Sequence, residues 1–189
     1  MKQAKVINNA EMKRLLAVVE AGQHGKRNRC ALMLSYLAGM RVGEIAALTI
    51  GDVFDGDGSI RDQIQLKAAY TKGNHARTVF VGKKLMKELA LYKCALGDNP
   101  IADKPFLMTQ KRTAFSANTL CQLFGDLYRR AGIDGATSHS GRRSFITKMA
   151  HSGVSAKVIM TLAGHKHLST TQRYIDVNDE MLKAAVEVV

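Results

Sequence analysis

Hydrophobic residues recur at helical spacing through most of this chain. Met12, Leu15, Leu16 and Val19 follow Asn8, which is the pattern of an amphipathic helix that begins behind a capping residue. The same periodicity predicts a helix over residues 26–38 and a short one that ends at residue 48. It predicts further helices over residues 83–96, 116–132, 140–151 and 155–163. Several of these helices are predicted to end at a glycine. The pattern therefore indicates a mainly helical chain.

One region departs from this periodicity. Residues 64–66 alternate, and residues 78–81 are β-branched and aromatic, so both are predicted to be strands. Gly73 and Asn74 between them are typical of a hairpin tip. We predict an α+β class: mainly α with a small antiparallel β-sheet, which we expect to be three-stranded. Met86 is predicted to lie on the inward face of the next helix.

The chain of 189 residues is long enough for one domain with its own core. No apolar run approaches the roughly 20 residues that a membrane-spanning helix needs, and the N-terminus does not resemble a signal peptide. We therefore expect a cytoplasmic protein. Cys30, Cys94 and Cys121 form no CxxC pair, so we interpret them as reduced, mostly buried thiols and not as zinc ligands.

Charge is the first functional signal. Lys and Arg number 28 against 16 Asp and Glu, a formal net charge of +12. Such an excess on a small domain favours a polyanionic partner, most commonly nucleic acid. A charge that serves only solvation is the alternative. An anionic membrane fits less well, because the basic residues are spread along the chain.

Candidate chemistry is concentrated between residues 139 and 174. His139 and Arg142 lie three positions apart, so on a helical turn they share a face. His165 follows Gly164, which is predicted to end the preceding helix. Tyr174 comes just after Thr170 and Thr171, which we predict to cap a new short helix. Imidazole, guanidinium and phenol groups that converge from separate helices suit chemistry on a phosphodiester.

Other interpretations of these side chains stay open. His165 and His167, with His139 or His151, could form a metal site, although neighbouring carboxylates and the ligand spacing are missing. Tyr174 alone could be a buried core tyrosine whose hydroxyl is satisfied.

Earlier in the chain, three more residues are candidates. Arg41 follows the break at Gly39 and could point into a cleft, or be exposed at a helix end. Glu44 could orient its guanidinium or form an ordinary surface pair. Lys72 lies near the predicted hairpin tip, where a lysine is usually solvated or protects an edge.

Taken together, these residues resemble the catalytic domain of the tyrosine recombinases, the phage integrase family. The similarity extends over about residues 7–176. It rests on the positions Arg41 in GMRVGE, Lys72 in TKG, His139 and Arg142 in HxxR, His165 after Leu162-Ala163-Gly164, and Tyr174 after Thr170-Thr171. Many members have an aliphatic residue at the position of Gly141 and a histidine at that of Arg143, departures that bear on packing more than on activity.

The resemblance implies the integrase catalytic-domain fold and a site-specific DNA recombinase. Such an enzyme cleaves and rejoins double-stranded DNA through a 3′-phosphotyrosyl intermediate, with no metal or cofactor. Tyr174 would be the nucleophile, assisted by His139. The nonbridging oxygens would be bound by Arg41, Arg142 and His165, Lys72 would protonate the leaving 5′-oxygen, and Glu44 would support the site.

It also implies an organisation. Residues 1–189 would be a single catalytic domain, with a core at 1–176 and a tail at 177–189 that protomers of a DNA-bound tetramer could exchange. The N-terminal core-binding domain of most members is absent, so we expect a piece of a longer integrase or a short member such as the fimbrial invertases. Alternatives are a type IB topoisomerase-like enzyme and a non-catalytic DNA-binding regulator, which would not need Tyr174.

Overall fold

The computed structural model describes residues 3–71, 75–97, 101–175, 182–183 and 186–187. Its strands are β1 (Gln63–Leu66) and β2 (Arg77–Phe80), with a 3₁₀ turn at Ala68–Tyr70. Its α-helices are α1 (Asn9–Glu20), α2 (Gly25–Ala38), α3 (Val42–Ala47), α4 (Ile50–Val53), α5 (Lys83–Leu96), α6 (Ala117–Arg130), α7 (Ser140–His151), α8 (Ala156–Ala163) and α9 (Leu168–Gln172). The predicted class, mainly α with a small antiparallel sheet, is confirmed.

Several helices begin where the sequence predicts, because their caps are local. Asn8 accepts a hydrogen bond from the Glu11 amide at 2.8 Å, and the Glu11 carboxylate accepts one from the Asn8 amide at 3.1 Å. Ser116 and Ser155 cap α6 and α8 through their side chains. Each cap satisfies amide groups that have no partner within the helix.

The sheet is smaller than predicted. Within the described residues β1 and β2 form a two-stranded antiparallel sheet in which Leu66 faces Arg77. The expected third strand is not found in the described ranges, and in the turn-rich segment before β1 Phe54 and Ile60 form only an isolated bridge. The glycines and aspartates between those two residues form a tight turn, in which Gly58 has a φ of 80°, so pairing does not extend along the segment.

Helix α2 lies at the centre of the fold, and α1, α5 and α7 pack against it. It ends at Gly39, whose φ is 61°. A Cβ at this position would lie 2.4 Å from Cδ1 of Phe145 on α7. The turn from α2 into α3 therefore requires glycine both for its left-handed backbone and for the closeness of α7. This turn fixes the position of Arg41.

A second, smaller apolar cluster joins α7 to α8. Ile146, Ala150, Ile159 and Ala163 are buried in it, and Tyr174 packs against it from outside. Because α7 contacts both α2 and α8, it connects the main core to the helices that precede His165 and Tyr174.

Two packing predictions are wrong. Met86 on α5 is 38% exposed, because the inward face of this helix is already formed by Leu85, Leu89 and Tyr92. Of the cysteines, Cys30 is buried, but Cys94 is exposed and Cys121 intermediate.

No helix in the described ranges has the length and apolar composition needed to cross a membrane.

Candidate active site

The structure brings every described member of the predicted catalytic set to one cavity of about 650 Å³. Its lining includes Arg41, His139, Arg142, His165 and Tyr174. Glu44 is buried next to Arg41. Lys72 lies outside the described residues, so its predicted place in the site stays a prediction.

Arg142 is the most buried of these side chains, with 5% of its surface exposed. From the first turn of α7 its guanidinium donates to the carbonyls of Gly39 and Ala163, each at 2.5 Å. Burial, and then the charges of Arg41 and Arg77, lower its pKa to about 9. The group remains charged at neutral pH, and main-chain carbonyls at the ends of α2 and α8 fix its position.

Arg41 and Arg77 share the carboxylate of Glu44. Arg41 donates to it from Nη1 at 2.8 Å and from the backbone amide at 2.8 Å, and Arg77 donates at 2.6 and 3.2 Å. Burial would raise the pKa of Glu44, but the hydrogen bonds from Arg77 and the two positive charges outweigh it and lower the pKa. Glu44 therefore orients Arg41 and is not part of an ordinary surface pair.

Arg77 was not among the predicted site residues. The pairing of β1 with β2 nevertheless indicates that its side chain has a special position. It faces the buried Leu66 across the sheet. Side chains of directly paired residues lie on the same face, so this position faces inward and would ordinarily be apolar. An arginine at an inward-facing strand position indicates that its charge is buried and paired with a carboxylate, here that of Glu44.

His165 follows Gly164, which ends α8 with a φ of 63°. One ring nitrogen, Nδ1, is hydrogen-bonded to Oγ1 of Thr171 at 2.9 Å. Burial, and then the charges of Arg142, Arg41 and Arg77, lower the pKa of His165 to about 4. The imidazole is therefore neutral at neutral pH and can act as a hydrogen-bond donor or acceptor without adding charge.

Tyr174 is half-buried and is not a core tyrosine. Its ring stacks on that of His165, with centroids 5.8 Å apart and planes at 20°. Arg143 lies near the ring as well, with Cζ 5.7 Å from the ring centroid. Its Nε is buried and has no hydrogen-bond partner in the described part of the chain. In the sequence Arg143 marks only a departure in packing, but in the fold it lines the cavity.

The helix before Tyr174 begins differently from the prediction. α9 starts at Leu168 with His167 as its cap, so Thr170 and Thr171 lie inside the helix and do not cap it. Thr171 is fully buried, and its hydroxyl is hydrogen-bonded to His165. Threonine is common at helix caps, but here its hydroxyl serves this tertiary contact from inside the helix.

His139 sits at the start of α7 and is exposed at the edge of the cavity. The cavity lining, as far as it is described, contains no carboxylate but includes Arg41, Arg142, Arg143 and Arg173. Across the described ranges, no three His, Cys, Asp or Glu side chains are grouped as a metal site would require. The cavity is thus strongly cationic and suited to an oxyanion.

A family match agrees with this geometry. The model of the phage integrase family matches residues 5–181, and the chain belongs to that family. It is 32% identical to the tyrosine recombinase XerA of Pyrococcus furiosus over 97% of this chain and 61% of the relative. It is 29% identical to XerD of Neisseria meningitidis over 96% of this chain and 62% of the relative. The chain thus spans about three fifths of the length of these curated relatives.

Solved structures agree on the fold. A crystal structure of XerA recombinase superposes with a TM-score of 0.74 at 26% identity, covering 98% of this chain and 63% of that one. The Tn1549 transposon integrase, in complex with transposon right end DNA, superposes with a TM-score of 0.77 at 16% identity over 99% of this chain and 66% of that one. At that identity the second likeness shows the fold alone.

Proposed function

We propose that this chain is the catalytic domain of a site-specific DNA recombinase that cleaves and rejoins DNA through a 3′-phosphotyrosyl intermediate. The observation that carries the proposal is the placement of Tyr174 at one cationic cavity with Arg41, Arg142 and His165. Family membership supports it, since curated members are named tyrosine recombinases. So do the relatives solved with DNA, including XerH bound to its difH substrate.

In the proposed reaction, the Tyr174 oxygen attacks the scissile phosphorus, and the bond from phosphorus to the 5′-oxygen breaks. His139 accepts the phenolic proton, and Lys72 gives a proton to the leaving oxygen. Arg41 and Arg142 bind the nonbridging oxygens, on which negative charge develops in the transition state. Planar guanidiniums suit those oxygens because they donate two parallel hydrogen bonds.

His165 and Glu44 have supporting parts. The neutral His165 donates a hydrogen bond to the phosphate, and Glu44 holds Arg41 in place. Rejoining is the reverse reaction, in which a DNA 5′-hydroxyl attacks the phosphotyrosine. Because the phosphate ester is exchanged and not hydrolysed, no energy source and no metal or cofactor is needed.

The partner in this proposal is double-stranded DNA, with four protomers assembled on paired sites in the cytoplasm. Residues 1–176 would contain the catalytic core. The tail at 177–189, which lies largely outside the described residues, would contact a neighbouring protomer.

Covalent trapping tests the proposal. Supercoiled DNA that carries the flanks of the native gene is incubated with the protein in EDTA, and protein–DNA adducts resistant to SDS are scored. We expect an adduct with the natural chain and none with Tyr174→Phe, although both bind DNA equally. Recombinant product from paired sites distinguishes a recombinase from a topoisomerase-like enzyme, which would only relax the DNA. DNA binding without any adduct would contradict the proposal and favour a regulator.

A further inference from the structure

Thr171 on α9 contacts both His165 and Tyr174. Its hydroxyl oxygen lies 2.9 Å from Nδ1 of His165, and its carbonyl accepts a hydrogen bond from the Tyr174 amide at 2.9 Å. The rings of His165 and Tyr174 are stacked on each other. One residue that is not part of the proposed reaction thus connects the imidazole and the phenol.

Burial determines the direction of the hydrogen bond between Thr171 and His165. Thr171 has no exposed surface, so solvent cannot accept its hydroxyl hydrogen. Within the described residues, the only partner of this hydroxyl is Nδ1 of His165. If Nδ1 carried a hydrogen and donated it, the hydroxyl hydrogen would be buried without an acceptor, which is costly. Thr171 is therefore the donor, and Nδ1 is the acceptor.

This direction fixes the tautomer of His165. Burial and the neighbouring positive charges lower the pKa of His165 to about 4, so at neutral pH the ring carries a single hydrogen. In a neutral imidazole one nitrogen donates and the other accepts. Because Nδ1 accepts, the hydrogen is on Nε2. His165 lines the cavity together with Arg41 and Arg142, so this hydrogen is available to a phosphate oxygen bound there.

We propose that Thr171 is a positioning residue that sets the tautomer of His165 and thereby presents its Nε2–H to the scissile phosphate. The inference rests on the proposed function, because it assumes that this phosphate occupies the cavity. Without the hydroxyl, either ring nitrogen is free to carry the hydrogen, and an Nε2 that lacks it repels the phosphate oxygens. Because Thr171 is fully buried, it acts only through His165 and does not touch the DNA.

The tautomer can be measured by ¹⁵N NMR on the free protein at neutral pH, without DNA. In a sample labelled at histidine, protonated and unprotonated ring nitrogens have clearly different chemical shifts, and the signals of His165 are those missing from His165→Gln. We expect a protonated Nε2 and an unprotonated Nδ1 in the natural chain. A protonated Nδ1 would overturn the proposal, and this result needs no variant of Thr171.

Two variants of Thr171 show whether its hydroxyl sets the tautomer. Thr171→Val removes the hydroxyl and keeps the branched shape. Both tautomers should then be populated, so the shifts of Nδ1 and Nε2 should move toward each other. Thr171→Ser keeps the hydroxyl and should retain the natural shifts. Unchanged shifts in Thr171→Val would contradict the proposal, as would equal changes in the two variants.

The rate of adduct formation tests the consequence for catalysis, on DNA that carries the cleavage site mapped by covalent trapping. We expect Thr171→Val to lower this rate about tenfold, as for the loss of one well-placed hydrogen bond, and Thr171→Ser to react nearly as fast as the natural chain. Thr161→Val is the matched control, because the Thr161 hydroxyl on α8 donates to the carbonyl of Lys157 and not to His165. It should change neither the rate nor the shifts. A natural rate for Thr171→Val would contradict the positioning role.

A double-mutant cycle separates this role from a merely structural one. His165→Leu removes both ring nitrogens, and Thr171→Val is then added to it. We expect no further loss of rate, because the hydroxyl no longer has an imidazole to orient. A further loss as large as that in the natural background would overturn the proposal. If the natural chain formed no adduct at all, the proposed function would fail, while the tautomer and its dependence on Thr171 would still be decided by NMR.

Discussion

An arginine at a site such as this one can be stabilised in two ways, and both occur here. Arg41 and Arg77 have the carboxylate of Glu44 as a partner, whereas Arg142 is bound by two backbone carbonyls. Carbonyls satisfy the donors of a guanidinium without neutralising it. Arg142 therefore offers its full charge to a bound phosphate, and its immediate neighbourhood remains positive.

That positive neighbourhood predicts how stability depends on pH through His165. Its pKa is 6.5 in the absence of neighbours and about 4 in the folded chain. Between these values the unfolded chain binds a proton that the folded chain does not, so the free energy of unfolding should fall as the pH decreases from 6.5 to about 4. Urea unfolding at several pH values measures this.

The control for this prediction is His165→Gln, which keeps a polar side chain but cannot titrate. The difference in unfolding free energy between the natural chain and this variant isolates His165, because the carboxylates titrate in both. We expect the difference to change by more than about 1 kcal/mol across the window, since one pKa unit corresponds to about 1.4 kcal/mol and half-exposed groups show less than the full effect. A constant difference would mean that the folded imidazole is not kept neutral.

At the scale of elements, the turn between α2 and α3 is the most constrained. Gly39→Ala should lower the free energy of unfolding by about 3 kcal/mol, from a left-handed backbone that costs a side chain about 1–2 kcal/mol and from displacement of Phe145. Because the Gly39 carbonyl binds Arg142, DNA cleavage should be lost as well. Urea unfolding and the adduct assay measure the two effects.

Gly132→Ala serves as the matched control. Gly132 follows α6 with the same φ of 61°, but a Cβ there would meet nothing within 4 Å. It should lose only the backbone contribution, about 1–2 kcal/mol, and keep DNA cleavage. Equal losses for the two variants would show that the contact with Phe145 contributes nothing.

The elements also show what the amino-acid sequence could and could not predict. α1 begins as predicted because Asn8 and Glu11 bind each other within one turn. The predicted start of α9 is wrong because Thr171 is used by His165, a partner on the other side of a turn. Local propensity predicts caps, but it does not include a tertiary partner that competes for the same side chain.

The same distinction holds for the site. Arg41, Arg142 and Tyr174 can be proposed from the sequence because the motifs around them resemble those of the recombinase family, although Arg41 or Tyr174 alone leaves other interpretations open. The position of the Arg77 side chain depends on Glu44 and Leu162, which are 33 and 85 positions away in the sequence. No local sequence pattern predicts contacts at such separations. Lys72 stays a prediction.

At the scale of the molecule, the net charge of +12 should govern DNA affinity. Each phosphate contact releases bound counterions, so six to ten such contacts lower affinity by about 10³–10⁵ between 50 and 200 mM salt. We expect a loss in this range, measured by fluorescence anisotropy on a labelled duplex. Tyr174→Phe is the appropriate protein, because it prevents covalent capture during the titration. An affinity that hardly changes with salt would contradict DNA as the partner.

The cavity around Arg142 has one practical consequence. Its described lining carries four guanidiniums and no carboxylate, so the site attracts tetrahedral oxyanions in general and not only the phosphate of DNA. Sulfate and inorganic phosphate have the charge and shape to occupy it. We therefore expect sulfate and phosphate buffers to compete with DNA for this cavity, beyond their effect on ionic strength, and the choice of buffer should affect how much DNA cleavage an assay detects.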